Sequence, residues 1–370
     1  MRLKNKITLV ISSLGAGGAE GVCITIANKF VESGWKVDLI VLNLINESFL
    51  NRLSKDVKLV LLNVNHSRYS IIQLIKYIYK NKISTVLVFN HELAVILVII
   101  RILFGFKLKI ISRNISVLSI KIKKLKLQNF WTKYIVRPLI KYFYHKIDHV
   151  INQCHSMRDD LIAMYPQLIN NSSVIHNPIS VHIIDYVNKN DLTKIKKKDY
   201  LLCVGRLEEV KAFHYAIEGF ASIADEFPNL RLKIVGEGTL KQKLRQKAID
   251  CYVSDKVDFE GFQKNIIPYY LYAKATIQTS HYEGYPNVLI ESIAMNTPVV
   301  AFDCPGGTSE IIRDNFNGYL VKHKNLNDLK KKLSKILLNK FNDKDLKNSV
   351  KKNYTHDVFR RYKNLIISFN

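Results

Sequence analysis

KATIQTSHYEGYPNVLIESIAMNTPVVAF, residues 274–302, reads as strand, helix and strand in succession. A short apolar run closes at Ser280, Gly284 and Pro286 break the chain, a helix runs towards Met295, and a second apolar run follows Pro298. Two short buried runs joined by a helix predict parallel strands with a crossover packed on the sheet. Working outward, DYLLCVG, LRLKIVG and KVDFEG precede this unit and GYLV follows it. The first half repeats the pattern with KITLVIS, KVDLIVL, VKLVLL, ISTVLVF, KLKIIS, DHVINQ and SSVIH, again with helical stretches between. The expected fold class is therefore α/β, with enough strands in each half for its own doubly wound sheet. Two Rossmann-like domains are expected, with the loops at their strand C-terminal ends facing a cleft.

The 370 residues exceed what one core usually supports, which also favours two domains. The expected division is 1–180 and 181–350, with a C-terminal helix in 351–370 packing back on the N-terminal domain. The polar stretch from Ser180 to Asp199, rich in Lys and Asn, is the expected connection. Hydrophobic residues make up 48% and charged residues 24%, a globular composition and not a disordered one. The five cysteines (Cys23, Cys154, Cys203, Cys251 and Cys304) are widely spaced and odd in number, which argues against a disulfide scaffold or a zinc cage. The apolar run Ile7–Ile11 is shorter than a signal h-region. Leu93–Ile100 stops at Arg101, far short of the roughly 20 residues that cross a bilayer. The expected compartment is the cytoplasm.

A net charge of +25 implies a polyanionic partner: nucleic acid, an anionic membrane or phosphorylated substrates. Residues 1–180 carry +16 of it and residues 181–370 carry +9. No acid lies between Glu92 and Asp148, where twelve cations from Arg101 to Lys146 alternate with Trp131, Tyr134, Tyr142, Phe143 and Tyr144. Basic and aromatic residues so mixed suit an anionic bilayer surface, where each Lys adds roughly 1 kcal/mol, although a solvated helix face has the same composition.

Several loops follow predicted strands. In LGAGGAE, Gly17 and Gly18 open a helix, where backbone amides can approach a phosphate or simply make a tight turn. CVGRLEEVK places Arg206 and Lys211 beyond a strand end, which suits a diphosphate or ordinary surface charge. VGEG supplies a further turn with accessible backbone amides through Gly236 and Gly238. In the opening stretch Glu283 precedes the turn at Gly284, Tyr285 and Pro286, and Glu291 lies eight residues on, in the helix. The proline predicts open amides around Asn287, Val288 and Leu289. Two carboxylates framing a helix start can accept hydrogen bonds from vicinal hydroxyls; one alone would be a favourable helix-dipole contact.

Taken together, GAGGAE, VIHNPI, VGRLEEVKAF, LKIVGEGTLKQKL, FEGF, YEGYPNVLIESIAMNTPVVAFDCPGGTSEII and NGYLV resemble the family 4 glycosyltransferases of the GT-B fold. Glu283 to Glu291 matches that family's Glu-x7-Glu motif, and Arg206 with Lys211 its diphosphate-binding pair. The resemblance implies a retaining enzyme that uses a nucleotide sugar, UDP- or GDP-linked, as co-substrate with no other cofactor and no metal. It implies that Glu291 holds the ribose, that Glu283 and residues Gly284 to Asn287 hold the donor hexose, and that Arg206 and Lys211 neutralise the departing diphosphate with help from Gly17 and Gly18. It further implies a donor-side turn at Gly306 and Gly307, with Glu310 nearby, a functional histidine at His91, and an acceptor-phosphate contact at Arg113 beside Asn114. Two departures are His281, and Phe213 after Lys211 where glycine is common.

The expected function is hexose transfer to a saccharide acceptor in surface polysaccharide synthesis. The acceptor would be lipid-diphosphate-linked, with Lys121, Lys123, Lys124 and Lys126 docking the protein on the cytoplasmic face of a bacterial inner membrane. Nucleic acid is not an expected partner. A non-catalytic polyanion-binding protein of the same fold and a nucleotide-sugar epimerase are the alternatives.

Overall fold

The computed structural model describes residues 5–15, 17–44, 49–126 and 130–369, excluding the side chains of residues 125 and 126. The chain divides into two compact units, Met1–Pro178 with Thr355–Asn370, and Ile179–Tyr354.

The first unit runs β1 (Lys6–Ile11), α1 (Gly18–Glu32), β2 (Lys36–Val41), β3 (Lys58–Leu61), α2 (Ile71–Asn81), β4 (Thr85–Val88), α3 (His91–Phe104), β5 (Lys109–Arg113), α4 (Leu118–Lys126), α5 (Arg137–Phe143), β6 (His149–Asn152), α6 (His155–Met164) and β7 (Ser172–Val174). The second runs α7 (Val181–Lys189), β8 (Tyr200–Val204), α8 (Phe213–Ala221), β9 (Arg231–Val235), α9 (Lys241–Asp250), β10 (Val257–Gly261), α10 (Ile267–Tyr272), β11 (Ala275–Gln278), α11 (Asn287–Ala294), β12 (Val299–Phe302), α12 (Thr308–Ile311), β13 (Gly318–Val321), α13 (Leu326–Leu338) and α14 (Asp343–Ser349). The chain then returns to the first unit as α15 (Thr355–Ile367).

Both sheets are parallel throughout, in the order β3-β2-β1-β4-β5-β6-β7 and β10-β9-β8-β11-β12-β13. Each is a Rossmann-like sheet with one reversal of strand order, between β1 and β4 and between β8 and β11. Every apolar run expected as a strand forms one. Central strands such as β4, β6, β11 and β12 are buried at every residue, because helices cover both faces of a parallel sheet.

In the first unit, α3 packs on one face of the sheet with Leu74, Ile78 and Ile140 around it. Asn90 starts this helix by accepting from the Glu92 and Leu93 amides, and Gly105, at φ +66°, ends it. On the opposite face α1 meets α15, where the Phe30 and Phe359 rings lie 5.0 Å apart edge to face. In the second unit, α8, α9 and α13 share one core through Phe220, Leu244 and Leu333. Within the stretch expected as the connection, Ile183 and Val187 lie one helical turn apart and are buried, which orders α7 at the start of an otherwise polar stretch. Among the described residues no helix is long and apolar enough to cross a membrane.

Candidate active site

In an open parallel sheet, ligands bind beyond the strand C-termini where strand order reverses, because the loops on either side diverge there. In the second unit those loops follow β8 and β11. They carry Arg206 and Lys211 on one side and Glu283 on the other.

The Lys211 ammonium donates to Glu283 Oε1 at 2.7 Å, and its Cε lies 3.5 Å from where a Cβ on Gly205 would be. The lysine stem therefore crosses the end of β8 to reach the other loop. Ser280 Oγ at 2.6 Å and Gln278 Nε2 at 3.1 Å donate to the same Glu283 oxygen. Further bonds lace the loops: His281 N to the Val210 carbonyl at 2.9 Å, and Thr279 Oγ1 to the Ala212 carbonyl at 3.0 Å. Arg206 differs. It is exposed and forms no ion pair among the described residues.

The position after Lys211 that favours glycine proves to be Ala212 and not Phe213. Ala212 has φ +46°, a left-handed conformation costing an L-residue about 1 kcal/mol, whereas Phe213 begins α8. The sequence departure at Phe213 is therefore an ordinary helical start.

Three glycines set the spacing of the loops. A Cβ on Gly236 would fall 1.9 Å from the Gly205 carbonyl oxygen, and one on Gly238 2.5 Å from that of Leu207. The Gly236 amide already donates to the Gly261 carbonyl at 2.8 Å. Its role is thus close backbone packing beneath the Arg206 loop and not the open amide expected from VGEG. Gly306 acts similarly on the other loop: a Cβ there would lie 1.9 Å from the Glu283 carbonyl oxygen, while the amides of Glu283 and Gly307 bond the carbonyls of Pro305 and Gly284 at 3.0 and 2.8 Å. Glu310, in α12, accepts from Lys352 Nζ at its carbonyl.

Glu291 lies on α11, one turn beyond its start. Ser180 Oγ donates to Oε1, and the Tyr270 hydroxyl donates to Oε2 at 3.3 Å. Tyr270 is fully buried, and burial followed by the Glu291 charge pushes its hydroxyl pKa well above the usual tyrosine value. It therefore remains a donor and fixes the carboxylate. The amides expected to be open at this helix start are not all so: Leu289 N donates to the Pro286 carbonyl at 3.2 Å. Asn287 and Val288 form the first turn, and Tyr285 is buried behind it.

In the first unit the same topological position holds the β1 and β4 loops. Gly17 caps α1 and Gly18 begins it, but the Gly17 amide donates to the Gly15 carbonyl at 2.9 Å, so only the helix start remains of the amide cradle expected from GAGGAE. Asn90 Nδ2 bonds Ser12 Oγ at 2.8 Å and ties the two loops together. His91 begins α3, 7% exposed, with Nε2 unpartnered among the described residues. Burial, with a contribution from Lys121, lowers its pKa to about 3, so the imidazole is neutral at physiological pH.

Arg113 departs most from expectation. It is 1% exposed, its Nε donates to the Tyr362 hydroxyl at 2.7 Å, another guanidinium nitrogen donates to Asn177 Oδ1, and it lies over the Phe89 ring. It joins α15 to the β5 end within the unit and is not a surface cation. Asn114 beside it is likewise buried, bonded to Asn152 and Tyr144. Arg101 and Lys109 also leave the basic stretch, since both pair with Asp148. Lys123 and Lys124 are exposed and Lys121 is half-buried, while the Lys126 side chain lies outside the described residues.

No sequence signal marks Ser180 and Tyr270 as partners of Glu291, or Gln278 and Ser280 as partners of Glu283. Nothing in a lone Ser or Tyr distinguishes such a role until strand order brings it there.

Residues 16–182 match the Glycosyltransferase Family 4 model, and residues 187–355 match that of Glycosyl transferases group 1. An uncharacterized glycosyltransferase of Methanocaldococcus jannaschii is 28% identical over 48% of this chain, which spans 45% of that protein. The N-acetylgalactosamine-N,N'-diacetylbacillosaminyl-diphospho-undecaprenol 4-alpha-N-acetylgalactosaminyltransferase of Campylobacter jejuni is 27% identical over 88% of each chain. In fold, the chain is similar to Anabaena HepE, solved in complex with UDP-glucose, at a TM-score of 0.76 and 16% identity, covering 98% of this chain and 99% of that one. With two Rossmann-like units, a matched family model on each and relatives in bacterial glycan synthesis, the chain belongs to the family 4 glycosyltransferases of the GT-B fold.

Proposed function

We propose that the protein moves a hexose-type sugar from a UDP- or GDP-linked donor to a saccharide acceptor in surface polysaccharide synthesis, with retention of anomeric configuration and no metal ion. The observation that carries this is the pairing of Lys211 with Glu283 beside an exposed Arg206, at the β8 and β11 ends. Two cations at one strand-order reversal match a diphosphate, Arg as a fork and Lys as a point charge. Glu291 takes the ribose hydroxyls, and Glu283 with Gly284 to Asn287 takes the hexose. As the bond between the sugar and the diphosphate breaks, negative charge grows on the leaving group. Arg206 and Lys211, already in place, stabilise it without reorganisation. His91, neutral at the start of α3, is the histidine proposed to have a functional role.

Calorimetric titration with UDP- and GDP-sugars tests the donor assignment. One of the two nucleotide classes should bind, EDTA should leave binding and transfer unchanged, and NMR of the first-formed product should show the donor's own anomeric configuration. Strict dependence on a divalent metal, or an inverted product, would overturn those parts of the proposal.

A lipid-diphosphate-linked acceptor, presented at an anionic membrane surface, is supported by the diphospho-undecaprenol in the Campylobacter relative's name and by exposed apolar and basic residues of the first unit. Leu103 is 72% exposed at the α3 end and Tyr142 is 62% exposed on α5, with Lys107 and Lys141 exposed beside them in sequence. We propose that this surface holds the enzyme peripherally on the cytoplasmic face of the inner membrane. Replacing Lys121, Lys123, Lys124 and Lys126 with Gln should weaken binding to anionic vesicles and transfer to a lipid-linked acceptor, while binding of the free nucleotide sugar stays unchanged. Vesicle binding should also weaken with salt, since the Debye length is about 8 Å at physiological ionic strength. Loss of donor binding with vesicle binding retained would move these lysines into the catalytic machinery.

A further inference from the structure

We propose that Ser180 is a positioning residue for Glu291, and that Ser180 and Asn353 together couple the two chain passages between units to the ligand-binding segment Glu283–Glu291. The proposal deepens the nucleotide-sugar assignment and takes from it only the identity of the ligand.

Ser180 occupies the N-cap of α7, where a serine side chain normally accepts a bond from the amides of the first turn. Here it makes no such bond, and its hydroxyl donates to Glu291 Oε1. A good capping residue is thus turned from its local task to a carboxylate 111 positions away. Departures from local preference of this kind concentrate at functional sites.

The neighbouring residue extends the connection. Ile179, the first residue after the chain leaves the first unit, donates its amide to the Asn353 carbonyl at 2.8 Å. Asn353 is fully buried and lies two residues before the chain returns to the first unit at Thr355. Its Nδ2 donates to the Tyr285 hydroxyl at 3.2 Å. Tyr285 in turn precedes α11, the helix that carries Glu291. Glu291, Ser180, Ile179, Asn353 and Tyr285 consequently form a closed circuit through hydrogen bonds and the α11 backbone. Both chain passages belong to it, and each contributes one side chain to the ligand-binding segment.

The physical consequence is reciprocal. Ser180 and Tyr270 hold one carboxylate oxygen each, so Glu291 meets a ligand in a fixed plane. A carboxylate oxygen can accept two hydrogen bonds, so a ribose hydroxyl can join without displacing Ser180. A ligand that binds this fixed carboxylate better than a pivoting one must stabilise the circuit by the same factor with which the circuit favours the ligand.

Amide hydrogen exchange of the full chain, with UDP and GDP as probes, tests this alongside steady-state kinetics. Without ligand, Ser180→Ala and Tyr285→Phe should each speed exchange at residues 179–183 and 351–356 several-fold, whereas Ser180→Thr, which keeps the hydroxyl, should match the unmodified protein. The nucleotide that binds should slow exchange at both passages in the unmodified protein and in Ser180→Thr, but much less in Ser180→Ala. Because a hydrogen bond to a charged group is lost, Ser180→Ala should raise the donor KM by about tenfold with little change in kcat. Unchanged exchange in ligand-free Ser180→Ala, or equal damage from Ser180→Thr and Ser180→Ala, overturns the proposal. Failure of both UDP and GDP to bind the unmodified protein overturns the nucleotide assignment instead, and the ligand-free exchange still decides the role of Ser180.

Discussion

Replacement of Arg206 by alanine is expected to lower sugar transfer by about 100-fold or more while leaving thermal stability unchanged, because loss of one preorganised charge stabiliser costs that much in rate. The separation of the two effects follows from its surroundings. Arg206 is exposed and has no ionic partner among the described residues, so no part of the core depends on its side chain. Its backbone, in contrast, is held: Gly205 N donates to the Val235 carbonyl at 3.0 Å and Leu207 N to that of Glu237 at 2.9 Å. The guanidinium is therefore an exposed cation on a fixed base, and Arg206→Lys should recover part of the activity by restoring charge without the planar fork. The paired measurement is kcat/KM with the thermal midpoint. Near-normal kcat/KM in Arg206→Ala would remove the residue from the mechanism.

The second large effect is expected at Gly306. A Cβ there would fall 1.9 Å from the Glu283 carbonyl oxygen and 2.8 Å from its carbonyl carbon, and the residue has φ +122°. Backbone cannot yield as a flexible side chain does, so Gly306→Ala must push the Pro305–Gly307 segment away from the Glu283 loop. Glu283 would then leave the Lys211 ammonium and the Ser280 hydroxyl that hold it at 2.7 and 2.6 Å. Overpacking of this kind costs roughly 1–3 kcal/mol of stability. The activity loss should be larger, about 100-fold, since the displaced group is in the proposed site. Gly105→Ala is the control. That glycine also has positive φ, +66°, but a Cβ there meets nothing within 4 Å among the described residues, so it should cost stability and spare transfer. Equal activity in the two variants would separate the Gly306 contact from function.

Legibility of the site in the sequence varied with how local each property was. The Glu283 to Glu291 spacing, the Arg206 to Lys211 spacing and Pro286 at the start of α11 are properties of one short segment and could be read directly. The state of individual amides could not. Gly17, Gly236 and Leu289 donate to the carbonyls of Gly15, Gly261 and Pro286, and nothing in a glycine-rich or proline-started turn tells which amides the fold has already paired. Arg113 was legible as a cation but not as a buried one, because its partners Tyr362 and Asn177 lie 249 and 64 positions away.

By itself, the sequence determined the strands, their parallel arrangement in two doubly wound sheets and the residue types available for a diphosphate and for sugar hydroxyls. It could do so because apolar runs of strand length, helical crossovers and turn residues act over a few positions. Tertiary structure alone decided which groups meet. The reversal of strand order between β8 and β11 brings Lys211 to Glu283 across 72 positions, and the chain passage at Ile179 brings Ser180 to Glu291 across 111. Such pairings depend on strand order and helix placement, which arise from burying the whole apolar surface together, and no local pattern encodes them.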